Sequence, residues 1–256
     1  MTTAPVLPPT RPPTTPPAGA ADAPDAPDAP ARPTRRTGPT LRLERKFWDA
    51  GHEVVCGIDE VGRGAWAGPV TVAAVIPARE HVRGVRDSKE LTRPEREKAA
   101  RSVRKWAVAI GIGHASYEEC DELGMTAALR AAGFRALAQL DAQGYVPDRI
   151  VLDGNHDYLR MPSKVTTVIK GDAKCLAVAA ASCVAKVTRD HMMIDESEHY
   201  PPYDFESNVG YPAPAHKLAL AGYGPSAIHR RTWIFMDHYV PWPGLRVIRP
   251  EQPALF

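Results

Sequence analysis

"VCGIDEVGRGAWAG", residues 55–68, brings an apolar run to an end on two adjacent carboxylates, Asp59 and Glu60, and follows them at once with Gly62, Arg63 and Gly64. On either side, "EVVCGID" (53–59) and "GPVTVAAVI" (68–76) are rich in Val and Ile. They read as two strands joined through this glycine-punctuated connection, a hairpin. A dinucleotide-binding turn is excluded, because the spacing is GxG followed by Gly68 and what comes next is a strand where that fold needs a helix. No Walker loop occurs either. Bare glycine backbone does allow close approach by a ligand, and Arg63 between the glycines can grip a phosphate.

Working outward, "TRPEREKAARSVRKW" (92–106) has Thr92 placed as an N-cap and Pro94 in the first turn, which predicts a helix over 93–105. "AVAIGIGHA" (107–115) is a third strand. Residues 118–142 have helical periodicity broken near Gly124, and "DRIVLD" (148–153) and "SKVTTVIKGD" (163–172) are two further strands. A long helix rich in small side chains follows in "AKCLAVAAASCVAKVTRDHMMI" (173–194), able to lie close against a sheet. After it come a Pro- and Tyr-rich loop and, over 216–236, one or two short helices ending in an aromatic patch.

The first 40 or so residues of the 256 are mostly Pro, Ala and Thr and include the tandem "DAPDAPDAP" (22–30), a composition that cannot bury a core; residues 1–42 are expected to form a disordered tail. The remaining 43–256 suit one domain. Net charge is only +2, so a nucleic-acid partner would have to be met by local basic clusters. The four cysteines lack metal-type spacing and mostly sit in apolar runs, so disulfides are not expected. No segment approaches a membrane span and the N-terminus has no export signal, which points to the cytoplasm.

Three apolar runs end in a carboxylate: "VVCGID" at Asp59, "RIVLD" at Asp153 and "VIKGD" at Asp172. Taken singly, each is explained as a solvated turn residue. Together with Glu60, and gathered at one sheet edge, they would repel one another and lose water, penalties that a divalent cation relieves. With only oxygen donors and no His or Cys beside them, the ion should be Mg²⁺ or Mn²⁺, and four carboxylates can hold two, an arrangement suited to phosphodiester cleavage. Glu60 follows Asp59 directly and can share the site only if the strand ends or twists there.

If the long helix begins at 172, then 172, 175, 179, 182, 186 and 189 fall on one stripe. A phosphate backbone could follow it through Ser182, Lys186 and Arg189. An acid at the start of a helix and a base at its end also simply suit the helix dipole. The clusters Arg93–Lys105 and His229–Arg231 read as solvated faces. Trp66, like most large aromatics, is expected to pack.

"GIDEVGRG", "AGPV", "DSKELT", "LDGN", "KGDAKCLAVAAASCVAKVTRD", "GYPAPAH" and "YGPSAIHRRTW" together resemble ribonuclease HII, the bacterial type 2 ribonuclease H, over about 54–235. The resemblance implies an α/β ribonuclease H-like fold: a central mixed five-stranded sheet flanked by helices, with a helical C-terminal extension at about 205–240. It implies endonucleolytic cleavage of RNA in RNA/DNA hybrids and incision on the 5′ side of single ribonucleotides embedded in duplex DNA, by a monomer with no membrane partner.

By position, Asp59, Glu60, Asp153 and Asp172 would be the catalytic acids and hold two Mn²⁺ or Mg²⁺ ions with substrate bound. Gly62, Arg63 and Gly64 would read the 2′-hydroxyl, and Tyr211 would pack on the sugar after the junction. Lys89, Ser182, Lys186 and Arg189 would contact phosphates. The chain departs from the usual pattern at Ala65, Trp66, Ala213 and Trp233, none of them a proposed ligand. Two alternatives stay open, a type 3 preference for longer hybrids and a non-catalytic nucleic-acid-binding module. Whether a replication clamp recruits the chain is not legible in these residues.

Overall fold

A computed structural model describes residues 38–242 and 244–248. The greater part of the expected disordered tail lies outside those residues. Its last few do not: Thr40 bridges to Cys175 beside the sheet, Leu41 is buried, and Arg42 begins a helix, so residues 40–42 belong to the folded unit.

In chain order the elements are α1 (Arg42–Asp49), β1 (Val55–Val61), β2 (Val70–Ile76), α2 (Arg93–Trp106), β3 (Ala109–Ala115), α3 (Tyr117–Leu123), α4 (Met125–Asp141), β4 (Arg149–Asp153), β5 (Val165–Val168), α5 (Leu176–Ser197), α6 (Phe205–Asn208), α7 (Pro214–Tyr223) and α8 (Phe235–Tyr239). The five strands form one mixed sheet in the order β3-β2-β1-β4-β5. β1 and β2 are the antiparallel hairpin read from the sequence, β3 pairs antiparallel with β2, and β4 and β5 run parallel to β1.

Local chemistry explains the boundaries. Thr92 and Glu95 form a reciprocal capping box at the start of α2, and Ser116 and Glu119 do the same for α3. Gly124, at φ 80°, ends α3 and restarts the chain as α4.

Strand alternation divides the core. Cys56, Ile58, Val70 and Val72 face α4, packing with Ala128, Leu129 and Ala132. Val55 packs with Ala177 and Val178 of α5, while Ala73 and Val75 pack with Ala179, Val184 and α2. α5 lies very close to the sheet: a Cβ on Gly57 would stand 2.5 Å from Val178 N and 2.6 Å from Ala177 Cβ. The small residues of α5 are the reason for that proximity, as the sequence suggested. A third cluster, including Phe205, Leu220, Phe235 and Met236, forms the core of the C-terminal extension.

Two elements differ from expectation. β5 stops at Val168, and Lys170 adopts a left-handed backbone conformation, so Asp172 sits in a short 3₁₀ turn (Gly171–Ala173) and not at a strand end. Helix α5 begins only at Leu176, so Asp172 lies ahead of the helical stripe that the sequence assigned to it.

Candidate active site

The parallel pairing of β1 with β4 runs to Ile58–Leu152, so Asp59 and Asp153 each come one residue after the last paired position on neighbouring strands. This is the C-terminal end of the parallel strands, where open α/β sheets place ligands. Asp59 is buried toward α5, with Ser182 beside it. Strand β1 does not end at Glu60, which was one of the two ways, ending or twisting, that the sequence left for that side chain to join the site. It continues to Val61, and the Glu60 carboxylate approaches from the opposite face, with 8% of its side chain exposed. Asp59 and Glu60 therefore reach one cavity from two sides.

That cavity, about 450 Å³, is lined by Asp59, Glu60 and Asp153 together with Gly62, Arg63, Gly64, Ser88, Lys89, Ser182, Lys186 and Tyr211. Ten of the twelve residues singled out in the sequence line it. Asp172 stands beyond the lining, coupled to the cluster through Lys89, whose Nζ is 3.9 Å from its Oδ2.

Each carboxylate is drawn to a protein partner. Asp59 Oδ1 accepts from the Glu60 N–H at 2.8 Å, Asp153 Oδ1 from the Gly171 N–H at 2.7 Å, and Glu60 Oε1 from Arg63 Nη1 at 3.0 Å. Among the described residues no three carboxylate, histidine or cysteine side chains are already gathered about one ion-sized point. The donor set nevertheless fits a hard divalent cation. Glu60 Oε2 is buried without a hydrogen-bond partner. Burial first, and then the charge of Glu60, holds the Asp59 carboxyl well above its ordinary range. Burial also raises Glu60, against the opposing pull of Arg63, and Asp172 is raised to about 6 by burial, Asp87 and Asp153. Asp153 adds to the shift of all three, so the acids interact as one electrostatic cluster that bound positive charge would relieve.

The turn at 62–64 faces these acids. Gly62, at φ 91°, sits where an added Cβ would run into the Arg189 side chain and the Pro69 carbonyl oxygen. A Cβ on Gly64 would project toward Tyr211, 3.9 Å from its Cε1, so a bare residue there keeps the gap open. The Tyr211 hydroxyl accepts the Gly62 N–H at 3.1 Å, and Lys186 Nζ lies 5.4 Å from the centre of the Tyr211 ring. Lys186 also pairs with Asp190 at 2.8 Å. Ser182 Oγ lies 2.9 Å from Ser88 Oγ.

Arg189 corrects the sequence reading. Its side chain is fully buried and donates to the carbonyls of Pro69, Val209 and Ala67 at 2.8, 2.8 and 3.0 Å, so it pins the loop from beneath and reaches no phosphate. The 229–231 cluster is not a solvated face either. His229 and Arg230 are buried, and Arg230 donates to the carbonyls of Gly68 and Arg63. Trp66 packs as expected, stacked on Phe235 at 4.6 Å.

Sequence reasoning missed three contributors. Asp87 repels Asp172 and accepts the Lys89 N–H, Ser88 meets Ser182, and Tyr158 is buried beside Glu60. The first two sit in the "DSKELT" stretch, where Lys89 alone drew notice, while Tyr158 carries no local signal.

Comparison with known proteins identifies the family. The Ribonuclease HII family model matches residues 56–236. The chain belongs to the ribonuclease HII family. It is 50% identical over 213 residues to a ribonuclease HII of Streptomyces avermitilis, covering 82% of this chain and 90% of that one. Similarity to the Bacillus subtilis ribonuclease HII is 40% over 191 residues, covering 74% and 73%. Among solved structures, the ribonuclease H2 of Pyrococcus horikoshii OT3 superposes with a TM-score of 0.60 at 27% identity, covering 73% of this chain and 97% of that one. The RNase HII in the PCNA:RNase HII complex of Archaeoglobus fulgidus gives 0.59 at 28%, covering 71% and 95%. As a ribonuclease HII, the chain is a hydrolase that cleaves the RNA strand of RNA/DNA hybrids, and the non-catalytic reading falls away.

Proposed function

We propose that this ribonuclease HII also incises duplex DNA on the 5′ side of a single embedded ribonucleotide, using two Mn²⁺ or Mg²⁺ ions held by Asp59, Glu60, Asp153 and Asp172. One observation carries the reading: a glycine turn and a tyrosine face three of the acids across a single cavity of about 450 Å³. Sugar inspection and phosphate cleavage can therefore act on adjacent atoms of one nucleotide.

The two ions, when bound, supply a more nucleophilic water and neutralise charge on the leaving oxygen. The remaining work belongs to the protein. Among the described residues no backbone acceptor takes the N–H of Arg63 or Gly64, so both are available to a 2′-hydroxyl, which only ribose presents. Tyr211, whose hydroxyl already accepts from Gly62, offers its ring to the following sugar and its proton to an acceptor. Lys89 lies on the open side of the cluster, with most of its side chain exposed, where it can meet the scissile phosphate. Lys186 and Ser182 extend the contact along the strand. Burial of Asp59 and Glu60 keeps bulk water from screening these charges.

The archaeal relative solved with PCNA supports a second proposal, that a replication clamp is a partner of this chain also. We place its work in the cytoplasm, as a monomer. No helix among the described residues is long and apolar enough to cross a membrane.

The test is cleavage of an end-labelled duplex holding one ribonucleotide, with Mn²⁺, with Mg²⁺ and with chelator. The expected product is a single nick on the 5′ side, leaving a 3′-hydroxyl and a 5′-phosphate, in either metal and not in chelator. Incision at another position, or cleavage confined to long hybrids, would overturn the junction reading in favour of a type 3 preference.

A further inference from the structure

His216 and His229 take no part in the chemistry above, yet both rings are almost wholly buried directly beneath it. His216 lies in the first turn of α7 and His229 in the segment between α7 and α8. Their Nε2 atoms are 2.8 Å apart. At one end of the pair, the Ser226 N–H points at His229 Nδ1 at 2.9 Å, with the Ser226 hydroxyl 2.7 Å from the same atom. At the other, His216 Nδ1 is 2.9 Å from the Tyr211 carbonyl oxygen.

These contacts admit one order of protons. A backbone N–H can only donate, so His229 Nδ1 accepts and its proton resides on Nε2. That proton points at His216 Nε2, which must therefore accept, so the His216 proton is on Nδ1, where the Tyr211 carbonyl receives it. The result is a directed relay of two neutral rings running from Ser226 to Tyr211. Trp66 and Phe205, with ring centres 5.7 and 5.4 Å from His216, and Tyr203, 4.9 Å from His229, pack both imidazoles in place. Tyr211 is consequently held at its carbonyl by His216 and at its hydroxyl by Gly62, while its N–H donates to the Asn208 carbonyl at 2.9 Å.

We propose that His216 and His229 are positioning residues which, by fixing the Tyr211 main chain, set the distance between its ring and the Gly62–Gly64 turn and thereby the preference for a ribonucleotide–deoxyribonucleotide junction over continuous hybrid. The inference rests on the reading of Tyr211 as the sugar-packing residue. It accounts for a buried polar pair which an apolar core would otherwise exclude.

The test compares amides that reproduce one ring nitrogen each. His216→Asn places its N–H₂ near the position of Nδ1 and keeps the donor to Tyr211. His216→Gln places its amide near Nε2, keeping the contact with His229 and losing that donor. Steady-state kinetics on a single-ribonucleotide duplex and on a long RNA/DNA hybrid, with melting temperature recorded for each protein, give the readout. The relay predicts that His216→Gln lowers the junction-to-hybrid ratio of kcat/KM by about tenfold, through KM on the junction substrate, while His216→Asn stays within about threefold of wild type. His229→Asn, which no longer fixes the His216 tautomer and so removes the donor to Tyr211 only part of the time, should give a ratio between those of His216→Asn and His216→Gln.

Equal losses in His216→Asn and His216→Gln, tracking melting temperature, would reduce the pair to packing and overturn the proposal. So would an unchanged ratio in a folded His216→Gln. Tyr211→Ala in the same assay separates the two levels: if it abolishes the preference and His216→Gln does not, only the relay fails, whereas if neither changes the ratio, the reading of Tyr211 falls and the relay's role with it.

Discussion

Arg189 holds three carbonyls of the loops around the inspection turn, and replacing it distinguishes two roles that a cation near a nucleic-acid site can have. A phosphate contact would show itself in salt dependence, a buried pin in stability. Arg189→Met strands the carbonyls of Ala67, Pro69 and Val209 in the interior. It should lower unfolding free energy by about 3 kcal/mol or more in denaturant titration, with no change in the salt slope of substrate binding. Lys89→Ala should behave in the opposite way, leaving stability nearly unchanged and flattening that slope by about one unit, since its side chain is 81% exposed. Spacing placed Ser182, Lys186 and Arg189 on one stripe of α5 but could not show that the stripe passes beneath the C-terminal extension after Lys186. Tyr158 and Arg230 were illegible for a similar reason: the site residues they meet, Glu60 for Tyr158 and Gly68 and Arg63 for Arg230, are more than 90 residues distant in sequence.

At the scale of elements, the approach of α5 to β1 sets where Asp59 and Ser182 meet. Gly57→Ala drives a methyl into the α5 backbone at Ala177 and Val178. It should cost at least about 2 kcal/mol of stability by calorimetry, and activity should fall because the site's two walls part. The strands and both capping boxes were readable because side-chain alternation and N-cap chemistry are local rules. The turn carrying Asp172 was not: Lys170 adopts a left-handed conformation that its residue type does not announce.

The C-terminal extension makes its own pH prediction. Burial, then His216 and Arg231, holds the His229 imidazole down to about 3, against 6.5 when unfolded. Between those values the unfolded chain binds a proton that the native chain refuses, so this contribution is full above about 6.5 and is lost as pH falls toward 3. Asp172, raised from 3.8 to about 6, acts in the opposite sense, favouring the native state at acid pH and losing that contribution as pH rises through 6. Comparing wild type with His229→Gln isolates the histidine. From pH 7.5 to 5, the melting temperature of wild type should fall more steeply than that of the variant, and parallel curves would contradict the assignment.

Across the whole molecule, segments spread over about 150 residues of sequence converge on one region. β1 supplies Asp59 and Glu60, β4 supplies Asp153 and the extension supplies Tyr211 to the cavity, while the turn before α5 sets Asp172 just beyond its lining. The recurrence of carboxylates after apolar runs made this convergence legible, since parallel neighbours in a sheet end at the same edge. Less legible was which protein donor meets each acid: the Glu60 N–H for Asp59, Arg63 for Glu60 and the Gly171 N–H for Asp153. Asp153 influences all three of the other acids, so it is the position at which the claim is most exposed. Mn²⁺ titration followed by electron paramagnetic resonance, on wild type and Asp153→Asn, tests it most directly. The account predicts that wild type takes up Mn²⁺ and that Asp153→Asn binds it at least about tenfold more weakly and cleaves no hybrid, with the fold retained. Equal Mn²⁺ affinity and undiminished cleavage in the variant would contradict it.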